Sequence, residues 1–168
     1  TNGAFHELDA DRLAGEIELN VGALTRLSHA ALAVMIPRGR GWLLNVSSVA
    51  SFQPAPRLAV YAATKAYVTS LTESLHEEAK VSGVHVTALC PGLTKTEFQR
   101  VSNTQQYADQ YPALAWTSPE LVAATGLRDV VANKALSIPG PQYKAMSFAV
   151  NSLPRGLRRW ASARVQRS

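Results

Sequence analysis

Tyr61 and Lys65 stand four residues apart, a spacing that sets both side chains on one face of a helix. By itself such a pair is also what an ordinary helix surface carries. The chemistry it could perform is proton transfer. A free phenol titrates near pH 10, and bringing it to about 7 takes ~4 kcal/mol in favour of the phenolate. A lysine ammonium about 4 Å away in a partly buried site supplies energy of that order, before desolvation is counted. Ser48, upstream of the pair, could hydrogen-bond a substrate oxygen while Tyr61 handles the proton. It could equally cap a turn. Asn20 lies in what reads as a helix, where asparagine is unfavourable. It could hold a water behind the lysine, or be a solvated helix residue.

The elements that must position these groups alternate along the chain. Asp9 is a good N-cap, and Leu13, Ile17, Val21, Leu24, Leu27, Ala31 and Val34 follow at helical spacing, ending before Pro37. Trp42–Val46 reads as a buried strand leading into Ser47-Ser48. A long helix is expected from Leu58 to Ser82, ended by Gly83, then a strand over Val84–Cys90 stopped by Pro91-Gly92. The stretch 94–117 is polar. Ser118-Pro119-Glu120 starts another helix, Ala135–Ile138 is a short strand, and the chain beyond Tyr143 reads as helical with a break at Pro154. Strands alternating with helices predict an α/β fold, a parallel sheet with helices on both faces and about three strands. Sites in such sheets lie beyond the carboxyl ends of the strands, which are here Ser47-Ser48 and Pro91-Gly92.

The chain has 168 residues, 46% hydrophobic and 17% charged, which excludes a disordered tail, a collagen-like repeat and a disulfide miniprotein. Its formal charge is +5, yet Arg155, Arg158, Arg159, Arg164 and Arg167 all fall in the last fourteen residues, which hold no acid. The other 12 basic residues face 12 acidic ones, so the body is neutral and a nucleic-acid partner is not expected. Cys90 is the single cysteine and has no internal partner. A buried inert thiol in a reducing, cytoplasmic compartment is the expectation. No uninterrupted run reaches the ~18 apolar residues of a membrane span. The histidines show no metal-ligand spacing.

Taken together, Asn20 in EIELNVGA, then GWLLNVSS, YAATK and VHVTALCPGLTKTEF resemble the short-chain dehydrogenase/reductase family across roughly residues 3–98. The resemblance implies a Rossmann-like fold and a catalytic tetrad of Asn20, Ser48, Tyr61 and Lys65. Tyr61 would be the general acid/base, and Lys65 would lower its pKa and bind the nicotinamide ribose. Ser48 would hold the substrate oxygen and Asn20 a relay water. Pro91, Gly92, Thr94 and Thr96 match the segment that lines the nicotinamide. Thr96 stands at the carboxamide-contacting threonine, and Thr94 replaces a usually apolar residue. Asn45 matches a structural strand residue. The coenzyme would be NAD or NADP, NADP slightly favoured by family analogy. The substrate would be a small carbonyl or alcohol compound, lipid-like or fatty-acyl by a looser likeness beyond Thr117. A homodimer or homotetramer through the two long helices is implied.

The family's glycine-rich coenzyme turn has no counterpart. Gly39-Arg40-Gly41 precedes a strand instead of following one. The chain is expected to begin just after the family's Asn-Asn-Ala-Gly mark, without the adenosine-binding half. The expected division is a partial Rossmann domain over 1–168, with a catalytic core at 1–117, a strand and helices at 118–154 and a basic amphipathic tail at 155–168. Two functions follow: an NAD(P)-dependent oxidoreductase as the whole protein, or a non-catalytic association module unable to hold coenzyme. In the tail, Leu153, Leu157, Trp160 and Ala161 recur at helical spacing among arginines. That pattern suits either packing on the domain or a sister subunit, or peripheral membrane contact through residues 153–168.

Overall fold

Apolar runs flanked by helical segments form a parallel sheet, β1 (Gly41–Val46), β2 (Val84–Leu89) and β3 (Leu136–Ser137), in that order. The computed structural model describes residues 1–102 and 111–165, the side chains of Arg100, Ala161 and Val165 excepted. Residues 103–110 of the polar stretch, Arg167 and the Ala161 side chain in the tail therefore lie outside the described residues. The helices are α1 (Ala10–Ile17), α2 (Leu24–Arg38), α3 (Ala59–Ala79), α4 (Phe98–Val101), α5 (Pro119–Val131), α6 (Pro141–Ser152) and α7 (Arg155–Val165). The α/β expectation holds, with β1 at an edge of the sheet.

The first helix departs from its sequence reading twice. It continues through Pro37 to Arg38 and closes on Gly39, whose φ of 67° a glycine adopts without strain. A proline in the last turn removes one helical hydrogen bond and leaves the rest intact. Between α1 and α2 the backbone is π-helical over Glu18–Ala23, the segment that carries Asn20. The 29-residue stretch Ala10–Arg38 is also apolar enough, by length and composition, to cross a membrane. In this fold its residue Leu32 instead packs on the sheet.

Leu32, Ala79, Val84 and Val86 form that side of the core, with Met35, Leu43 and Leu75 against them. On the same face the buried Asn45 amide donates to Ser28 Oγ at 3.2 Å and Thr72 Oγ1 at 3.1 Å, a structural role. Helix α5 covers the other face. Gly126 lets it close on Leu44 and Leu89, whose side chains would lie 3.0–3.3 Å from an added Cβ. One carboxylate anchors the far end of this layer. Asp129 is 2% exposed, accepts from Ser137 Oγ at 2.8 Å and Lys134 Nζ at 2.8 Å, and is also reached by Arg128. Burial pulls its pKa up, but hydrogen bonds from Lys134, Ser137 and Arg128, with the Lys134 charge, hold it below the ordinary carboxylate value.

Two predictions follow from this architecture. Asp129→Ala strands the buried Ser137 hydroxyl and should cost about 2 kcal/mol in urea unfolding. Because the folded pKa is depressed, the stabilisation is complete above the unfolded value of about 3.9 and is lost as pH falls through the folded one. Wild-type and D129A midpoints should therefore converge in acid. Second, β1 pairs with no strand on its outer side among the described residues, and its Trp42 is 57% exposed. An open apolar edge templates association, so this chain alone should elute as oligomers in size-exclusion chromatography. A cooperatively unfolding monomer would contradict this.

Candidate active site

Helix α3 begins after the Pro54–Pro56 loop, and its first turns bring Tyr61 and Lys65 to the carboxyl end of β1. A hydroxyl seam fixes its phase. Ser47 Oγ donates to the Lys65 carbonyl at 2.8 Å and pairs with Thr69 Oγ1 at 2.7 Å, while Ser47 N–H donates to Leu89 O. Lys65 Nζ reaches back to donate to the Val46 carbonyl at 3.0 Å. Strand end and helix are thus stitched in both directions. Ser48, buried in the next position, caps a 3-10 turn by accepting from Ala50 N–H at 3.1 Å. The capping reading of Ser48 is thus seen, and its hydroxyl also stands close enough to the Tyr61 phenol to draw the phenol's pKa down.

The electrostatics differ from the sequence expectation. The Tyr61 pKa is raised, not lowered. Burial is the main cause, Ser48 pulls it down, and the Glu16 carboxylate pushes it further up. The Lys65 ammonium lies 5.7 Å from the Tyr61 ring centre and is turned to Val46 O. Burial lowers the Lys65 pKa, opposed by Cys90 and Glu16. Both groups are thereby held toward their neutral forms. Cys90 itself is fully buried, its thiol pushed up by burial despite the hydrogen bond with Thr69 Oγ1, as an inert core thiol should be.

Asn20 is brought to the same helix. Its Nδ2 donates to Thr64 Oγ1 at 3.2 Å, and Thr64 Oγ1 donates to the Tyr61 carbonyl at 2.8 Å. The amide therefore ties the π segment to the first turns of α3. Glu16, four residues earlier on α1, was not singled out from sequence. Its carboxylate accepts from the Thr1 hydroxyl and is largely buried. A lone acid one helical turn before Asn20 was the available signal.

The second strand end is held by Tyr143, also missed. Pro91 O accepts from Val49 N–H, and Leu93 N–H donates to Tyr143 Oη at 2.9 Å. Tyr143 Oη in turn donates to Ala115 O at 2.6 Å. Gly92 admits that ring: a Cβ there would lie 2.0 Å from it. Thr94 Oγ1 donates to Gly92 O, and its backbone bridges Thr117. Thr96 is exposed, and its Oγ1 accepts from Phe98 N–H at the start of α4. The Phe98 ring lies 5.7 Å from that of Tyr61, which links this segment to α3. Gly92→Ala should lower stability by about 1–3 kcal/mol through overpacking. In a Tyr143→Ala background the extra cost should shrink, a coupling that a double-mutant cycle of thermal melts measures.

Comparison with known proteins agrees with this geometry. The family model for short chain dehydrogenase matches residues 1–107. Among curated proteins the chain is 29% identical over 137 residues to the mouse (Mus musculus) very-long-chain 3-oxoacyl-CoA reductase, covering 82% of this chain and 38% of that protein. It is 32% identical over 153 residues to the inactive hydroxysteroid dehydrogenase-like protein 1 of Danio rerio, covering 91% and 43%. Among solved structures, a short-chain dehydrogenase from Sphingobium yanoikuyae in complex with NADPH superposes with a TM-score of 0.79 at 28% identity, over 94% of this chain and 60% of that one. The chain thus spans about two fifths of the length of these curated relatives. With the family model covering well over half of its residues, the chain belongs to the short-chain dehydrogenase family.

Proposed function

We propose that the whole protein is an NAD(P)-dependent oxidoreductase acting on a carbonyl/alcohol pair, with Tyr61 as its general acid/base. The observation that carries this reading is the meeting of Ser48, Tyr61 and Lys65 at the carboxyl end of β1, one strand away from the segment 91–96. The donor set suits the nicotinamide end of the coenzyme: an ammonium on Lys65, and hydroxyls on Tyr61, Thr94 and Thr96 beside the backbone of Pro91 and Gly92. It does not suit the phosphate end. Gly39 precedes β1 and Gly41 opens it, and a Cβ on Gly83 would lie 2.6 Å from the Gly39 carbonyl oxygen. The coenzyme, when bound, supplies or accepts the hydride. Ser48 Oγ donates to the substrate oxygen, and Tyr61 Oη gives that oxygen a proton in reduction and takes it back in oxidation. Lys65 stabilises the phenolate as it forms, and Asn20 positions the first turns of α3 through Thr64.

The raised Tyr61 pKa keeps the phenol protonated at neutral pH, the form that donates to a carbonyl oxygen. NADPH is the preferred coenzyme on the likeness to the Sphingobium enzyme. A lipid-like or fatty-acyl carbonyl is favoured by the relative named for 3-oxoacyl-CoA reduction. Leu19 and Leu27 are each 71% exposed on the first helix, which supports association of subunits through the two long helices. The buried thiol of Cys90 suits the reducing cytoplasm. A second reading, a non-catalytic association module, is favoured by the relative named inactive.

Titration of NADPH and NADH fluorescence against this chain and against a form extended at its N-terminus separates the two. Binding by the extended form supports the enzyme, and no binding by either form supports the module. In the active form, Tyr61→Phe should lower kcat/KM for carbonyl reduction by at least about 100-fold. Wild-type reduction should stay level through neutral pH and fall only above the ordinary phenol range, because burial raises the Tyr61 pKa. A loss within tenfold removes Tyr61 from the role.

A further inference from the structure

Helix α7 sits on the protein with its polar side inward. Ser162 is buried, and Arg158 is half-buried. The Arg158 guanidinium donates to Asn151 O and Leu153 O, both at 2.8 Å, the last carbonyls around the end of α6. That contact satisfies groups a helix terminus otherwise leaves open, and it sets the rotation of α7. At 100° per residue, Leu157, Trp160 and Arg164 then fall on the side opposite Arg158 and Ser162. Leu157 is 51% and Trp160 56% exposed, and the Arg164 guanidinium lies 4.0 Å over the Trp160 ring. Arg159 is exposed at the margin, and Arg155, exposed at the start of the helix, falls by the same rotation near Ser162. Of the two arrangements read from the tail sequence, packing of the apolar side on its own domain is therefore not what the described residues show. Phe148 on α6 and Leu153 before α7 are exposed as well.

We propose that the outward face of α7 docks on an anionic lipid surface. The charge argues for this occupant over the others. Residues 155–168 hold five arginines and no acid, on a body whose remaining charges balance. A second copy would meet the same face across a two-fold axis and set arginine against arginine. An indole and a leucine flanked by guanidinium groups match the interfacial zone of a bilayer, where rings and aliphatic carbons enter the acyl boundary and cations stay among the phosphates. The inference does not depend on the oxidoreductase reading, because none of these residues belongs to the candidate active site.

The test is flotation of the whole chain with phosphatidylcholine vesicles, with and without phosphatidylserine, on a density gradient, in which protein aggregates sink and lipid-bound protein rises. Wild type should float with phosphatidylserine-containing vesicles only, and high salt should release it. Replacing Arg159 and Arg164 together with Gln should cut the floated fraction at least about tenfold. Trp160→Ser, with every arginine kept, should cut it several-fold. Circular dichroism should be unchanged in both variants, since Arg158 is untouched and the replaced side chains are exposed. Equal flotation on neutral vesicles, undiminished flotation of either variant, or no flotation of wild type overturns the proposal. Capture by polyglutamate without flotation overturns it in favour of an acidic protein partner.

Discussion

The carboxyl end of β1 is bound to α3 by a pair of reciprocal contacts, and the candidate site exists only while they hold. Ser47 Oγ donates to the carbonyl of Lys65, and Lys65 Nζ donates to the carbonyl of Val46. A helix packed on a sheet by apolar contacts alone can slip by a residue at little cost, because hydrophobic attraction is not directional. Here a slip would turn the helix by 100° and break both hydrogen bonds, the half-buried one from Ser47 and the more exposed one from Lys65. Thr69 and the Cys90 thiol fill the space around Ser47, so the polar seam lies in a packed environment that water does not relax. The phase of α3 is thus set by hydrogen bonds, and the depth of α3 by apolar packing.

That depth has its own consequence for charge. Tyr61 and Lys65 sit where burial opposes the ionised form of each, and the Glu16 carboxylate favours the proton on both. The Lys65 ammonium is turned to a backbone carbonyl at 3.0 Å and lies 5.7 Å from the Tyr61 ring centre.

Much of the frame was readable from local chemistry. Gly83 and Pro91-Gly92 punctuate β2 so sharply that its limits are visible in the sequence, and the four-residue step from Tyr61 to Lys65 needed only a helix to mean proximity. What was not readable depends on distant groups. The direction of the Tyr61 shift follows from burial, which no spacing reveals. The π-helical stretch around Asn20 inserts into a hydrophobic period that tolerates the offset, so the pattern does not register it. Tyr143 contacts the Gly92 strand end across 50 residues of chain, and only the glycine hinted at a close approach. In α7 the apolar spacing was plain, but the rotation was decided by where Arg158 found its acceptors.

At the amino ends of β1 and β2, two helix-terminating glycines meet. Gly39 and Gly83 both take left-handed φ values, and a Cβ on Gly83 would stand 2.6 Å from the Gly39 carbonyl oxygen. Two connections share one corner with no room between them. Lengthening either would push the other away and part the strands that follow. Change in length is therefore cheap at the opposite rim alone, where the long connections leave β1 and β2 and where a substrate would enter. A protein built this way can vary what it binds by remodelling one rim while the other is held to its shortest form.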